Sequence, residues 1–171
     1  MRPAHTQYVA IADSAQARLF SCDASERGPE VYRLNPIKSL ENPKLRERTS
    51  EPYTETRPGL RRAGAEGGGH AVDDRRTNHR QELTRRFAKK VTNSMEACFN
   101  KHPMQILVVA SPKMLGLLRD GLSEQGSGFP ASNEMTFLPK NLTRLTSSQI
   151  HDQLAATGLL PARCAPSEGT N

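Results

Sequence analysis

Tryptophan is absent from this chain of 171 residues, and its aromatic content is three tyrosines and five phenylalanines. No polar stretch interleaves them with basic residues, which argues against a stacking platform for single-stranded bases. Cysteine is scarce as well. Cys22, Cys98 and Cys164 are odd in number and widely spaced, which argues against a disulfide framework or a zinc ribbon and suits a reduced, cytoplasmic protein. No stretch approaches the ~18 consecutive apolar residues that a membrane helix needs. The apolar run that follows residues 1–7 is broken by Asp13 and Gln16, so no signal-peptide core follows. The glycines at 67–69 lack the Gly-Lys-Ser/Thr of a phosphate-binding loop, and they follow no compact apolar strand as a dinucleotide fingerprint would. His70 and His79 are nine residues apart, which fits no usual ligand spacing, so neither a metal nor another cofactor is expected.

Positive charge is what the chain has, and it is concentrated. The formal net charge is +6; residues 38–90 hold fourteen Lys and Arg against eight Asp and Glu, and the remainder carries ten of each sign. Charge spread evenly would bear on solubility alone, but charge gathered on one segment is a footprint for phosphate-rich partners, nucleic acid first. Gly67, Gly68, Gly69 and His70 form the tip of this segment, glycine permitting close backbone approach to a partner. The candidate nucleic-acid contacts are Arg61, Arg62, Arg75, Arg76, Arg80, Arg85, Arg86 and Lys89. The plainer readings are a flexible surface loop for the glycines and a solvated face for the cations. Asp73 and Asp74 read equally as helix caps or partners of Arg75 and Arg76, and Asp13 reads as a turn residue.

With 35% hydrophobic residues and a mean hydropathy of -0.66, the core must come from the ~110 residues outside the polar stretches. Residues 8–12 and 17–22 are strand-like runs around a turn and read as a hairpin, and residues 30–34 alternate like a half-exposed third strand. Residues 38–76, with Pro43, Pro52 and Pro58 and few large apolar groups, read as a long mobile loop. Leu83, Phe87, Val91, Met95 and Cys98 then recur at steps of four, four, four and three, which predicts a helix over 78–101 with Arg85, Arg86 and Lys89 opposite the buried stripe. Residues 105–110 read as a central strand. Ser111-Pro112 opens a helix whose stripe is Met114, Leu117, Leu118 and Leu122. Residues 134–138 are a short fifth strand. Thr146 and Gln149 have capping-box spacing ahead of Ile150, Leu154 and Ala155, and Gly158 is a helix stop. The expected fold is α/β (α+β): a mixed five-stranded sheet, three N-terminal antiparallel strands followed by α-β-α-β-α, forming one domain over 7–158 with a frayed tail over 159–171.

Several short patches in order carry a resemblance. They are the run from Tyr8 to Phe20, Glu41-Asn42-Pro43 with Arg46-Glu47-Arg48, Arg57-Pro58-Gly59, Arg86-Phe87-Ala88, and Pro112 through Leu118 followed by Asn141-Leu142-Thr143. Over about residues 7–156 the chain resembles the bacterial host attachment protein family, proteins required for attachment to host cells. That family is in turn similar to the middle domain of archaeal and eukaryotic class-one peptide-chain release factors, whose Gly-Gly-Gln tip enters the ribosomal peptidyl-transferase centre. The resemblance sets Gly68-Gly69-His70 at the corresponding place. Since histidine stands where that mechanism uses glutamine, it implies a ribosome- or RNA-facing module more than a hydrolase. Three readings follow: a non-catalytic factor on ribosomes or structured RNA, a cytoplasmic regulator or interaction protein needed for attachment to host cells, and a hydrolase using His70. Whether the chain forms a homo-oligomer is left open.

Overall fold

The computed structural model describes residues 7–24, 32–46, 69–99, 105–124, 129 and 134–163, apart from the side chains at 24, 46, 69–74 and 76. It contains a mixed five-stranded sheet with helices packed on it. The strands are β1 (Gln7–Ala12), β2 (Gln16–Ala24), β3 (Tyr32–Glu41), β4 (Gln105–Ala110) and β5 (Glu134–Pro139), in the spatial order β3-β2-β1-β4-β5. Neighbours β1, β4 and β5 run parallel, while β2 and β3 are added antiparallel on the other side. The helices are α1 (Pro43–Arg46), α2 (Gly69–Phe99), α3 (Pro112–Glu124) and α4 (Ser147–Ala156).

The two central strands explain the layering. β1 and β4 are buried along almost their whole length, as a strand covered on both faces must be. Side chains alternate across a strand, so Tyr8, Ala10, Ile106 and Val108 enter one core with α2 and α3. Val9, Ile11, Leu107 and Val109 enter a second core with α4. Tyr8 stacks on Phe99 of α2, with ring centroids 4.4 Å apart.

Strand β3 is longer than the alternation at 30–34 suggests, and it claims residues 38–41 from the expected loop. Phe20 pairs with Pro36 and Leu19 with Lys38, leaving Ile37 as an extra residue. One inserted residue inverts the faces of everything beyond it. Leu34 accordingly packs in the α4 core while Leu40, an even number of residues away, packs in the α2 core. The bulge breaks the period of two at the point where a pattern reader stops, and the edge position tolerates Pro36.

Helix α2 also starts earlier than the apolar stripe indicates. Phe87, Val91, Met95 and Phe99 are buried, with Leu83 and Cys98 half-buried, but the helical backbone begins at Gly69. At 31 residues it is about 45 Å long, so a strand of six residues, spanning about 20 Å, covers only part of it. Its first turns therefore lack a stripe, and no proline or glycine after Gly69 breaks them. Of the expected loop over 38–76, residues 38–41, 43–46 and 69–76 are thus strand or helix, and 47–68 lie outside the described residues.

Gly121 of α3 faces Thr92 of α2: a Cβ there would sit 3.2 Å from the Thr92 side chain. Thr146 caps α4 in a reciprocal box with Gln149. The helix ends on Gly158 at φ 72°, whose N–H bonds Ala155 O while the Leu159 N–H bonds Leu154 O, a Schellman closure. Residues 159–163 of the expected tail are described and lie against α4. Leu160 is buried, the buried His151 lies 2.8 Å through Nε2 from Pro161 O, and residues 164–171 lie outside the described residues.

Candidate functional site

The parallel strands β1, β4 and β5 all end at one edge of the sheet, at Ala12, Ala110 and Pro139, where β2 begins and β3 ends. Chain reversals at that edge bring together the 13–16 turn, Asn42, Ser111 and the 140–143 loop. Asp13 organises the turn. Its Oδ1 accepts from the Ala15 and Gln16 N–H groups at 2.7 and 2.8 Å, and its Oδ2 accepts from Thr143 Oγ1 at 2.5 Å. The turn reading of Asp13 therefore holds, with a tertiary partner added.

Asn42 holds the same turn from the other side. Its backbone N–H donates to Ala15 O at 2.7 Å, and its Nδ2 donates to Ser14 O at 3.1 Å and, more weakly, to Leu83 O at 3.5 Å. It is buried, so its side chain ties the hairpin tip to α2. Arg18 fastens α4 to the sheet: Nη1 donates to Leu145 O at 2.7 Å, and the guanidinium lies 4.9 Å from the Phe20 ring centroid.

Beside the Ser14 turn, a half-open cavity of about 300 Å³ lies between α2 and the start of α3. Ser14, Ser111 and Lys113 line it from the ends of β1 and β4, and Thr77, Arg80 and Thr84 line it from α2. In open α/β sheets ligands bind outside the carboxyl ends of parallel strands, which is where this cavity lies. The Thr84 hydroxyl donates back to Arg80 O at 2.9 Å. Arg80 sits four residues before Thr84 and seven before Phe87, on the sheet-facing side of α2, one turn past the buried stripe. Arg80 is exposed like the other cations of α2, but it lines this cavity.

The other cations divide. Arg75, Arg85, Arg86, Lys89 and Lys90 are all exposed on α2. Arg86 pairs with Glu82, Nε to Oε1 at 2.9 Å, one turn back on the same helix. A second cleft, of about 590 Å³, sets Arg85, Arg86 and Lys89 of α2 across from Asp120 and Glu124 of α3. That stretch is partly compensated by acid.

Of the tip residues, Gly69 and His70 belong to the first turn of α2 by their backbone, so they do not form a free loop. The His70 and Arg76 side chains and all of Gly67, Gly68, Arg61 and Arg62 lie outside the described residues. Among the described residues no three His, Cys, Asp or Glu side chains gather as a metal would require, and no helix is long and apolar enough to cross a membrane. Sequence reasoning passed over Asn42, Ser111 and Lys113 as site residues. The available signal was position, since each lies one to three residues beyond a strand.

No curated protein matches the chain significantly. A solved structure of an Aquifex aeolicus member of the Ppx/GppA protein family aligns over 79% of this chain and 36% of its own, at 10% identity and a TM-score of 0.27. This chain thus spans about a third of that protein's length. The family described as "Protein required for attachment to host cells" matches residues 8–154, from the first strand into the last helix, and the chain belongs to that family.

Proposed function

We propose that this host attachment family member is a non-catalytic factor that docks on structured RNA, the ribosome being the foremost candidate, through the exposed cations of α2. The observation that carries the reading is the stripe Arg75, Arg86, Lys89 and Lys90, exposed along one helix whose length exceeds that of the strands beneath it. Phosphate contacts from Lys and Arg supply affinity without reading sequence, in keeping with a chain so poor in aromatics. The similarity of the family to release-factor middle domains, with Gly68-Gly69-His70 at the place of their tip, supports a ribosomal partner. Histidine at that place favours docking without peptide release. The family's description names an outcome, attachment to host cells, and a factor acting on translation reaches such an outcome from inside the cell through the proteins it helps to make. Cosedimentation with purified ribosomes at low and high salt tests the reading: co-pelleting that is lost with salt is the expected result, and a protein that stays in the supernatant at low salt overturns it.

A further inference from the structure

We infer that the cavity outside the carboxyl ends of β1 and β4 is a binding site for a phosphomonoester of about mononucleotide size. It stands apart from the RNA-docking stripe, because Arg80 and Lys113 line it and the outer cations do not. Two cationic side chains reach one small cavity from different elements, α2 and α3. Among the described side chains no carboxylate lines it, and neither cation is in an ion pair with another described residue. Glu82, which shares an adjoining pocket with Gln81 and Lys113, is paired with Arg86, and both oxygens of Asp13 beside the Ser14 turn are bonded to the turn and to Thr143.

The remaining lining suits an anion of many oxygens. Ser14, Ser111 and Thr77 bring hydroxyls that can donate, and Gln81 brings an amide. The Lys113 and Met114 N–H groups lie in the first turn of α3, where backbone donors have no partner within the helix, whereas the Leu115 N–H is already given to Ser111 O at 2.9 Å. The turn at Ser14 is held in place by Asn42 and Asp13, so that wall of the cavity is fixed before a ligand arrives, which lowers the cost of binding. Its size of about 300 Å³ is at the small end for ligand sites and suits a single nucleotide unit, with its open side free for a chain to continue. Among the described residues Met114 is the only large apolar one lining it, so recognition rests on the phosphate and little on a base.

Such a phosphate can belong to a free nucleotide or to the 5′ end of an RNA, and the test separates them. Isothermal titration of the full chain is run with AMP, inorganic phosphate and adenosine, and with one oligoribonucleotide bearing a 5′-phosphate or a 5′-hydroxyl. Binding of AMP and phosphate with none of adenosine is expected, as is a loss of about ten-fold in affinity for Arg80→Gln or Lys113→Gln and more for both together. Arg33→Gln, at an exposed position of β3 outside both sites, should leave AMP binding unchanged. Selective binding of the 5′-phosphorylated oligonucleotide with no AMP binding also supports the site and assigns its source to RNA ends. Absence of binding by every phosphate compound at about 1 mM, or a double variant that melts and binds like wild type, overturns it. AMP binding without ribosome cosedimentation would sink the RNA-docking reading and leave this one standing.

Discussion

The Asp13 carboxylate and the Thr143 hydroxyl meet at 2.5 Å, joining the turn after β1 to the loop that follows β5. The contact spans 130 residues and closes the edge on which the candidate site lies. Asp13→Ala removes the acceptor for Thr143 and for two backbone N–H groups at once. Hydrogen bonds to a charged group contribute about 1.5–3 kcal/mol each, less when water replaces the partner. Urea melts should therefore show Asp13→Ala destabilised by about 2–4 kcal/mol and the isosteric Thr143→Val by about 1–2 kcal/mol. The double variant should cost less than the sum, since both changes delete the same bond. Strict additivity would mean that the contact carries no energy.

Two glycines on α3 should respond to alanine with opposite signs. Gly116 has open space where its Cβ would go, whereas Gly121 would place it 3.2 Å from Thr92. Alanine in a helix interior is favoured over glycine by about 0.5–1 kcal/mol, so Gly116→Ala should raise stability by that amount. Thr92 is fully buried and β-branched, hence stiff at χ1. It cannot yield, and overpacking of about 1–3 kcal/mol should outweigh the propensity gain and make Gly121→Ala a net loss. Thermal melts of the two variants measure both signs.

Cys22 is buried in β2 at 1% exposure, and burial, with a smaller contribution from the charge of Asp23, pushes its thiol up to about 11. Iodoacetamide at pH 8 should leave Cys22 unmodified in the folded protein and alkylate it in urea, as read by peptide mass spectrometry. The same shift links stability to pH. The folded thiol keeps its proton where the unfolded one, at 9.0, gives it up, so this contribution is whole below pH 9 and is lost as pH rises from about 9 to about 11, by roughly 2–3 kcal/mol. Burial raises Tyr8 as well, with Asp23 and Cys98 adding to it, so Cys22→Ala should lessen the alkaline loss and Tyr8→Phe should lessen it further. An alkaline melt of Cys22→Ala that followed wild type would refute the coupling.

What the sequence revealed and what it hid divide along physical lines. Periodicity is strong where one face is buried, so β4, the stripe of α2 from Phe87 to Met95 and the Thr146 capping box were all legible. It fails at Ile37, where a single inserted residue inverts the faces, and in the first turns of α2, where the sequence carries no apolar stripe. The cations were legible as a count but not as a surface. Arg80 and Arg86 are both exposed, but Arg80 lines the cavity at the strand ends, and only the position of the sheet under the helix separates them. Asn42 and Thr143 could be read as parts of short patches, but their shared role at the Asp13 turn requires contacts across 28 and 130 residues.

Charge on α2 and charge facing it should move RNA binding in opposite directions. Reversing Arg75, Arg86 and Lys90 to Glu changes exposed side chains without touching the phosphate cavity, and it should abolish cosedimentation with ribosomes at low salt. Wild-type affinity should fall with log[salt] at a slope of about -0.9 per phosphate neutralised on a duplex, and single reversals should flatten that slope. Asp120 and Glu124 face Arg85 and Lys89 across the cleft and oppose a polyanion there. Asp120→Asn with Glu124→Gln should therefore tighten binding, most of all at low salt where surface charges are least screened. A structural role for these cations alone would not predict the gain. Weaker binding in the acid-neutralised variant, with its melting temperature unchanged, would show that the partner meets this face through the carboxylates, and the RNA reading would fall.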